Sequence, residues 1–328
     1  MAKLSRRERR LGFKQEKQLE VYRAEEEKPA EETNRRDKNF FLHVYDIHYK
    51  KFVIFTILLI LLSLGVIGNS YMQTGDFIPK GISLKGGVSL TLPITEQVDI
   101  NDLQNFLMRS SDAEFNVREL TQAGEYKGII AESSDENPDN LIGLLEQRFG
   151  SLDKYEYRVE VMGSNLGESF FKEALIAILI AFVFMGITIF IYFRSIVPSL
   201  FVILAAFSDM IAPLAVVILL GMKLNTAGIA GFLMLIGYSV DTDILLTTRV
   251  LRGKEGTVYD RIIKAMKTGL TMTLTSFAAV LIAYFFTTSA ALKEIMFILA
   301  LGLFFDLIFT WFQNAPILRW HLENKGKT

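Results

Sequence analysis

Residues 236–247, Ile-Gly-Tyr-Ser-Val-Asp-Thr-Asp-Ile-Leu-Leu-Thr, place two carboxyl groups, Asp241 and Asp243, inside an apolar segment that is long enough to cross a membrane. A charged side chain at the centre of a bilayer costs at least about 2.5–3.5 kcal/mol, so such residues usually face a bundle interior, a water path or a partner. The segment ends in Arg249, whose long side chain can reach the cytoplasmic surface. This pattern favours transport, or assistance to transport.

The two aspartates of this segment cannot share one face of a helix. Positions two apart on an α-helix point about 200° apart, whereas positions four apart lie on the same side. Asp243 is therefore expected to form a polar stripe with Ser239 and Thr247, while Asp241 lies on the side of Gly237. Such a stripe serves either an ion path or hydrogen bonding between helices, and the pattern leaves both interpretations open.

The composition predicts a membrane protein. Hydrophobic residues make up 51% of the 328 positions, charged residues make up 22%, and the formal net charge is −1. Values of this kind indicate apolar spans beside polar segments rather than one soluble core. Six stretches of bilayer length predict six transmembrane helices. They cover residues 52–70, 170–193, 196–220, 225–248, 269–289 and 294–318.

The orientation of the spans follows from the distribution of Lys and Arg, which concentrate in cytoplasmic loops. The loop after the fourth span is rich in basic residues, and Arg194 lies between the second and third spans. The two short loops on the opposite side, between spans three and four and between spans five and six, carry only Lys223 and Lys293. We therefore expect both termini in the cytoplasm and the large loop after the first span outside the cell.

That large loop is too long for a connector, and its pattern predicts a folded domain. Residues 88–94, 115–121, 126–131 and 155–161 alternate as strands, and residues 100–108 and 141–149 have helical spacing. The order β-α-β-β-α-β is that of a ferredoxin-like domain. The predicted fold class is an α-helical membrane protein with six transmembrane helices and this α+β domain between helices 1 and 2.

The chain is therefore divided into five parts. These parts are a charged cytoplasmic tail at 1–50, transmembrane helix 1 at 51–70, the external domain at 71–168, a five-helix transmembrane bundle at 169–320 and a cytoplasmic tail at 321–328. There is no cysteine, and the three histidines lie outside the apolar spans. Thiol chemistry is excluded, and an enzyme, a metal site, a bound cofactor and a nucleic-acid partner are not expected.

Three motifs together resemble the SecD/SecF protein-export family, SecF more than SecD. Gly81-Ile-Ser-Leu-Lys-Gly86-Gly87 is similar to the Gly-x-Asp-φ-x-Gly-Gly signature that follows the first span, with Ser83 in place of Asp. Gly163-Ser-Asn-Leu-Gly167 before span two and Ile236-Gly-Tyr-Ser-Val-Asp241 in span four are the other matches. The sequence from Val240 to Asp243 resembles the archaeal members of the family more than the bacterial ones.

The resemblance implies a subunit of the cell membrane that works with a SecD-like subunit and the SecY channel. It would promote the translocation of secreted and membrane polypeptides, and its helices would be embedded in the lipid bilayer. The family places an ion-coupling Asp at the position of Asp241. Asp243, Asp209 and Asp306 are further candidates inside the spans, and Gly81, Gly86 and Gly87 mark the external-domain signature.

Two features leave the mechanism open. Proton-driven bacterial members have an arginine in the fifth SecF span, whereas this chain has none from Thr271 to Ser276. Spans three to six contain no Lys, Arg or His, so one or more of the buried aspartates is expected to be protonated at rest. The alternatives are a half-size transporter of the resistance–nodulation–division type, which would export lipid or small molecules, and a passive scaffold of the translocon.

Overall fold

The structure is a computed structural model, and it describes residues 40–122, 124–253 and 256–326. The charged tail predicted for residues 1–50 lies mostly outside the described residues. The elements follow one another along the chain as α1 (Phe40–Thr74), α2 (Ile82–Lys85), β1 (Gly87–Leu92), α3 (Ile100–Ser110), β2 (Phe115–Gln122), β3 (Glu125–Ser133), α4 (Pro138–Phe149), a 3₁₀ turn (Leu152–Lys154), β4 (Arg158–Met162), α5 (Ser164–Phe193), α6 (Ile196–Leu219), α7 (Thr226–Arg252), α8 (Val258–Phe286), α9 (Ala290–Phe309), a π-helical turn (Thr310–Asn314) and α10 (Ala315–Asn324).

The prediction of six membrane helices is confirmed. Among the described residues, six helical segments are long and apolar enough to cross a bilayer: α1, α5, α6, α7, α8, and α9 with its continuation through α10. Half or more of the apolar stretches of α6, α7 and α9 is buried (50%, 56% and 50%), against 17%, 11% and 17% for α1, α5 and α8. The bundle therefore has α6, α7 and α9 at its centre, and the apolar faces of the other three point outward.

Helix α8 begins well before the predicted span. The span prediction starts at residue 269, whereas the helix begins at Val258. Thr257 caps it, because its hydroxyl accepts from the backbone N–H of Asp260 while the Asp260 carboxylate accepts from the backbone N–H of Thr257. Charged residues such as Lys264 lower the local hydropathy, so the apolar pattern reports the membrane-crossing part of the helix and misses its polar first turns.

The loop after α1 folds into a four-stranded antiparallel sheet, in the predicted order β-α-β-β-α-β. The strands lie in the order β2-β3-β1-β4, so β1 and β3 are central. Asp99 accepts hydrogen bonds from two backbone N–H groups at the start of α3, and Asn137 accepts one, from Asp139, at the start of α4. The domain core is formed by the inward apolar residues of the strands and of these two helices: Val88, Leu90, Leu92, Leu103, Leu107, Val117, Ile129, Leu141 and Leu145.

Two of the glycine motifs pack against each other where the sheet domain joins α5. Gly86 has φ +94°, and a Cβ there would lie 2.4 Å from the Cα of Ser164. In return, a Cβ at Gly167 would lie 3.0 Å from the backbone N of Gly86. Neither position accommodates a side chain without movement of the backbone. The two motifs therefore form one close contact between backbones.

Candidate functional site

Three of the four candidate aspartates meet inside the helix bundle. Asp209 on α6, Asp243 on α7 and Asp306 on α9 are each 0% exposed. They lie near enough for the charge of one to affect the others. The polar stripe predicted on α7 is also present, because Ser239, Asp243 and Thr247 are all buried. The central helices of the bundle thus converge on one group of carboxyls.

A single hydroxyl links two of these carboxyl groups. Thr310 Oγ1 lies 3.1 Å from an oxygen of Asp243 and 3.1 Å from an oxygen of Asp306. A hydroxyl has one proton to donate, so it can donate to only one of the two carboxyls. The other contact is a hydrogen bond only when that carboxyl is itself protonated and donates to Thr310. The arrangement therefore suits a proton that is shared between Asp243 and Asp306.

The remaining partners of the carboxyl group cluster are neutral. Ser239 donates to Asp209, and Thr273 donates to Asp306 at 3.3 Å. Within residues 40–122, 124–253 and 256–326, no Lys, Arg or His side chain forms an ion pair with the three aspartates. One oxygen of Asp209 and one of Asp243 are buried with no hydrogen-bond partner among the residues that the structure describes. Burying uncompensated carboxylates is costly, which again favours protonated forms.

The π-helical turn Thr310–Asn314 supplies two of these contacts. An α-helix turns about 100° per residue, so on a regular α-helix Asn314 would lie about 80° around the axis from Asp306, eight positions before it. The wider π turn takes up this drift, and Asn314 reaches Asp243 with a 2.7 Å hydrogen bond from its side-chain amide. Single π turns of this kind occur frequently at functional sites.

Asp241 lies apart from this cluster. It is exposed on the opposite face of α7, beside the exposed Gly237 and Tyr238. In the part of the chain that the structure describes, its carboxylate has no hydrogen-bond or ion-pair partner. The position that the family resemblance singles out therefore faces out of this chain, whereas Asp243 faces in.

The signature glycines lie where the sheet domain meets the helices. Gly81 donates its backbone N–H to the carbonyl of Leu224 at 2.7 Å, and Gly86 contacts the start of α5 as described above. Gly87 begins β1. No group of three or more His, Asp or Glu side chains in the described ranges is arranged to hold a metal ion. The signature therefore belongs to the contact between the sheet domain and the helices.

Sequence reasoning missed four residues that these contacts single out. Thr310 and Asn314 follow Asp306 at four-residue intervals, the same spacing that marks the stripe on α7. That spacing would have found them. Asn225 and Glu294 hydrogen-bond each other near the other end of the bundle. Nothing in the sequence pairs these two, since they lie 69 positions apart.

Comparison with known proteins identifies the family. The family model described as "Protein export membrane protein SecD/SecF, C-terminal" matches residues 144–324. The protein-export membrane protein SecF of Methanocaldococcus jannaschii is 39% identical over 281 residues, which cover 84% of this chain and 96% of that protein. The chain belongs to the SecF family. SecF of Pyrococcus furiosus is 34% identical and is covered over 93% of its length. The protein is thus a multi-pass protein-export membrane protein.

The fold agrees with a solved member of the SecD/SecF family. The crystal structure of SecDF from Thermus thermophilus, a translocon-associated membrane protein, superimposes with a TM-score of 0.66 at 20% sequence identity. The match covers 88% of this chain but only 39% of SecDF, so the chain spans well under half of that longer protein. This likeness supports the arrangement of the six helices and the sheet domain.

Proposed function

We propose that this SecF-family chain acts with a SecD-like subunit and the SecY channel to promote the translocation of secreted and membrane polypeptides, and that the buried carboxyls couple this work to an ion gradient. The observation that carries the coupling is the hydroxyl of Thr310, placed 3.1 Å from both Asp243 and Asp306. Thr310 can hydrogen-bond to both carboxyls only when one of them carries a proton, because its hydroxyl has a single proton to donate. The binding of this proton therefore changes the attachment between α7 and α9.

The proposed mechanism is a shift between two helix arrangements. With a proton on the pair, Thr310 joins both carboxyls and holds α7 against α9. When the proton leaves, two buried negative charges face each other across a low-dielectric interior, which favours separation or hydration of the helices. A proton that binds one arrangement better than the other shifts the population by that difference in affinity. Proton entry and exit on opposite sides of the membrane would then drive a cycle.

A second subunit is supported by the exposed carboxylate of Asp241. A charge left in contact with lipid would cost at least about 2.5–3.5 kcal/mol. The neighbouring Gly237 has no atom within 4 Å of the place a Cβ would take, so this face is open to close approach by another helix. Asp241 thus becomes the candidate for ion coupling at the contact with the partner, beside the buried pair.

The proposed orientation places both termini in the cytoplasm and the sheet domain outside the cell. An even number of spans puts both ends of the chain on one side, and six are present among the described residues. The ends of the helices next to Arg194, Arg249, Arg252 and Lys264 are rich in positive charge, as cytoplasmic ends are. The sheet domain lies between α1 and α5, at the opposite ends of the helices.

The test compares Asp243→Asn with Asp241→Asn, two matched substitutions on one helix. In the native membrane, Asp243→Asn is expected to keep the complex assembled while proton-dependent export falls, by about tenfold or more. Asp241→Asn is expected to weaken co-purification of the SecD-like subunit. Unchanged export with both Asp243→Asn and Asp241→Asn would support a passive scaffold instead. Export of lipid or small molecules by the chain without a SecD-like subunit would support the half-size transporter.

A further inference from the structure

A compact hydrogen-bonded joint connects the sheet domain to the start of α7. Ser83, the residue that departs from the family signature, donates its hydroxyl to Asn225 Oδ1 at 3.1 Å. The same hydroxyl accepts from the backbone N–H of Thr226 at 2.9 Å, in the first turn of α7. Side-chain oxygens commonly satisfy such terminal N–H groups, but here the oxygen comes from a segment 143 positions away.

Glu294 extends this joint to α9. Its two carboxylate oxygens accept from Asn225, one from the backbone N–H at 2.7 Å and one from the side-chain amide at 3.1 Å. The side chain is only 6% exposed. It also places a negative charge at the N-terminus of α7, where the helix dipole favours one. Asn225 therefore binds the sheet domain through Ser83 and α9 through Glu294.

Two glycines leave the space that this joint occupies. A Cβ at Gly81 would lie 2.2 Å from Asn225 Oδ1, and a Cβ at Gly228 would lie 2.5 Å from a carboxylate oxygen of Glu294. A side chain at either position would displace the asparagine or the glutamate. The first glycine of the family signature thus has a specific role: it lets the chain pass directly over Asn225.

A second contact connects the sheet domain to Lys293, the neighbour of Glu294 on α9. Lys293 donates to the backbone carbonyl and the hydroxyl of Thr121 at the end of β2, and Gln122 donates to the carbonyl of Phe286 at 3.2 Å. We call these contacts of Thr121 and Gln122 the clasp. A cavity of about 400 Å³ borders the joint at Ser83, Asn225 and Glu294. Its lining includes Ser89, Arg118, Glu132, Arg158 and Glu160 on the sheet and Ser289 on the helices.

We propose that Ser83, Asn225 and Glu294 form a hinge, about which the sheet domain swings as the clasp opens. The idea rests on the proposed function, because the hinge joins the two helices, α7 and α9, that carry Asp243 and Asp306. A change in how these helices pack would reach the sheet domain through Asn225. Among the described residues, the buried apolar core of the sheet domain contains none from the helix bundle. Polar contacts around a cavity can exchange with water, so the clasp can open without exposing a hydrophobic core.

The first test prevents the clasp from opening. The chain has no cysteine, so Thr121→Cys with Lys293→Cys supplies this chain's only pair of thiols for a short bifunctional methanethiosulfonate reagent. Cross-linking in the assembled membrane complex is expected to reduce export about tenfold or more, with recovery after dithiothreitol. Export by the same double-cysteine protein before cross-linking measures the effect of losing the clasp itself.

The matched control is Asp102→Cys with Arg148→Cys, which replaces a 2.6 Å ion pair between α3 and α4 within the sheet domain. Cross-linking the control is expected to leave export unchanged.

The second test asks whether the hinge positions the clasp. Glu294→Gln turns an amide donor towards the amide of Asn225 and removes one of their two hydrogen bonds. The rate of cross-linking is measured in the protein that carries T121C and K293C, with and without E294Q. Residue 293 is next to the substituted glutamate, and we expect E294Q to slow the cross-linking about fivefold. Adding Asn225→Asp restores an acceptor opposite the new amide, so the double variant N225D/E294Q is expected to regain the original rate.

These outcomes separate the hinge from the proposed function. Export that continues unchanged with the clasp cross-linked would overturn the swing of the domain, and so would a cross-linking rate that E294Q leaves unaltered. The cross-linking rate does not depend on export. If Asp243→Asn has no effect on export while the hinge variants change the cross-linking rate as expected, the ion coupling fails and the hinge stands.

Discussion

The side-chain amide of Asn314 donates a 2.7 Å hydrogen bond to the carboxyl group of Asp243, although the two residues lie 71 positions apart. This bond ties the π-helical turn to the middle of α7. The same turn provides Thr310, which reaches Asp243 and Asp306 together. One irregular turn thus connects two of the three central helices through their carboxyl groups.

Thr310→Val should uncouple Asp243 from Asp306. Valine has nearly the shape of threonine, so the substitution removes the bridging hydroxyl and leaves buried carboxyl oxygens without that partner. We expect a loss of about 1–3 kcal/mol in the free energy of unfolding, and proton-dependent export should fall as well. Chemical unfolding in detergent and an export assay measure the two effects. The control is Thr275→Val on the exposed side of α8, where the hydroxyl bonds only to carbonyls of its own helix. Equal losses in both variants would contradict the bridging role.

Ser239 and Asp209 should behave as a coupled pair. The serine on α7 donates to the aspartate on α6, and both side chains are buried. A double-mutant cycle with Ser239→Ala and Asp209→Ala, each of which removes the hydrogen bond, is expected to give a coupling energy of about 0.5–2 kcal/mol. Unfolding measurements on the four proteins provide this value. Strictly additive effects would mean that the hydrogen bond does not stabilise the contact between α6 and α7.

Gly86→Ala should destabilise the attachment of the sheet domain to α5. The new Cβ would lie 2.4 Å from the Cα of Ser164, and φ is +94°. Strain of this kind costs about 1–3 kcal/mol, seen as a lower midpoint of thermal unfolding. Gly143→Ala is the matched control, since Gly143 lies within α4 with no atom within 4 Å of its Cβ position. Alanine there should raise stability by about 0.5–1 kcal/mol. A Gly86→Ala protein as stable as the wild type would refute the close contact.

Glu136 should make the junction with α5 sensitive to acid. Hydrogen bonds from the side chain and the backbone N–H of Ser164 lower the pKa of Glu136 below its ordinary value of 4.5. A carboxyl with a lowered pKa stabilises the fold above its ordinary pKa, and this stabilisation is lost as the pH falls through the folded value. NMR titration of the carboxyl carbon should show the lowered pKa. Glu136→Gln should remove this part of the acid sensitivity, and a titration at the ordinary value would contradict the contact.

Much of the fold could be predicted because its signals are local. The alternation of apolar residues along β1 depends only on nearby positions, and the strand predicted from it is confirmed. Helix α8 extends beyond the apolar span predicted from residue 269, because hydropathy reports contact with lipid, whereas a capping box starts a helix in water as well. The locations of Asp209, Asp243 and Asp306 inside the spans were also readable, since charges are rare at that depth.

The sequence alone determined that the chain crosses a membrane six times, that it carries an α+β domain after the first span, and that it has four aspartates at membrane depth. Composition, periodicity and motif order are properties of neighbouring residues. Only the tertiary structure decided which aspartates meet, because it depends on how α6, α7 and α9 rotate against one another. That rotation turns Asp243 inward and Asp241 outward. It also brings Asn225 to Glu294, a pairing that packing between distant helices creates.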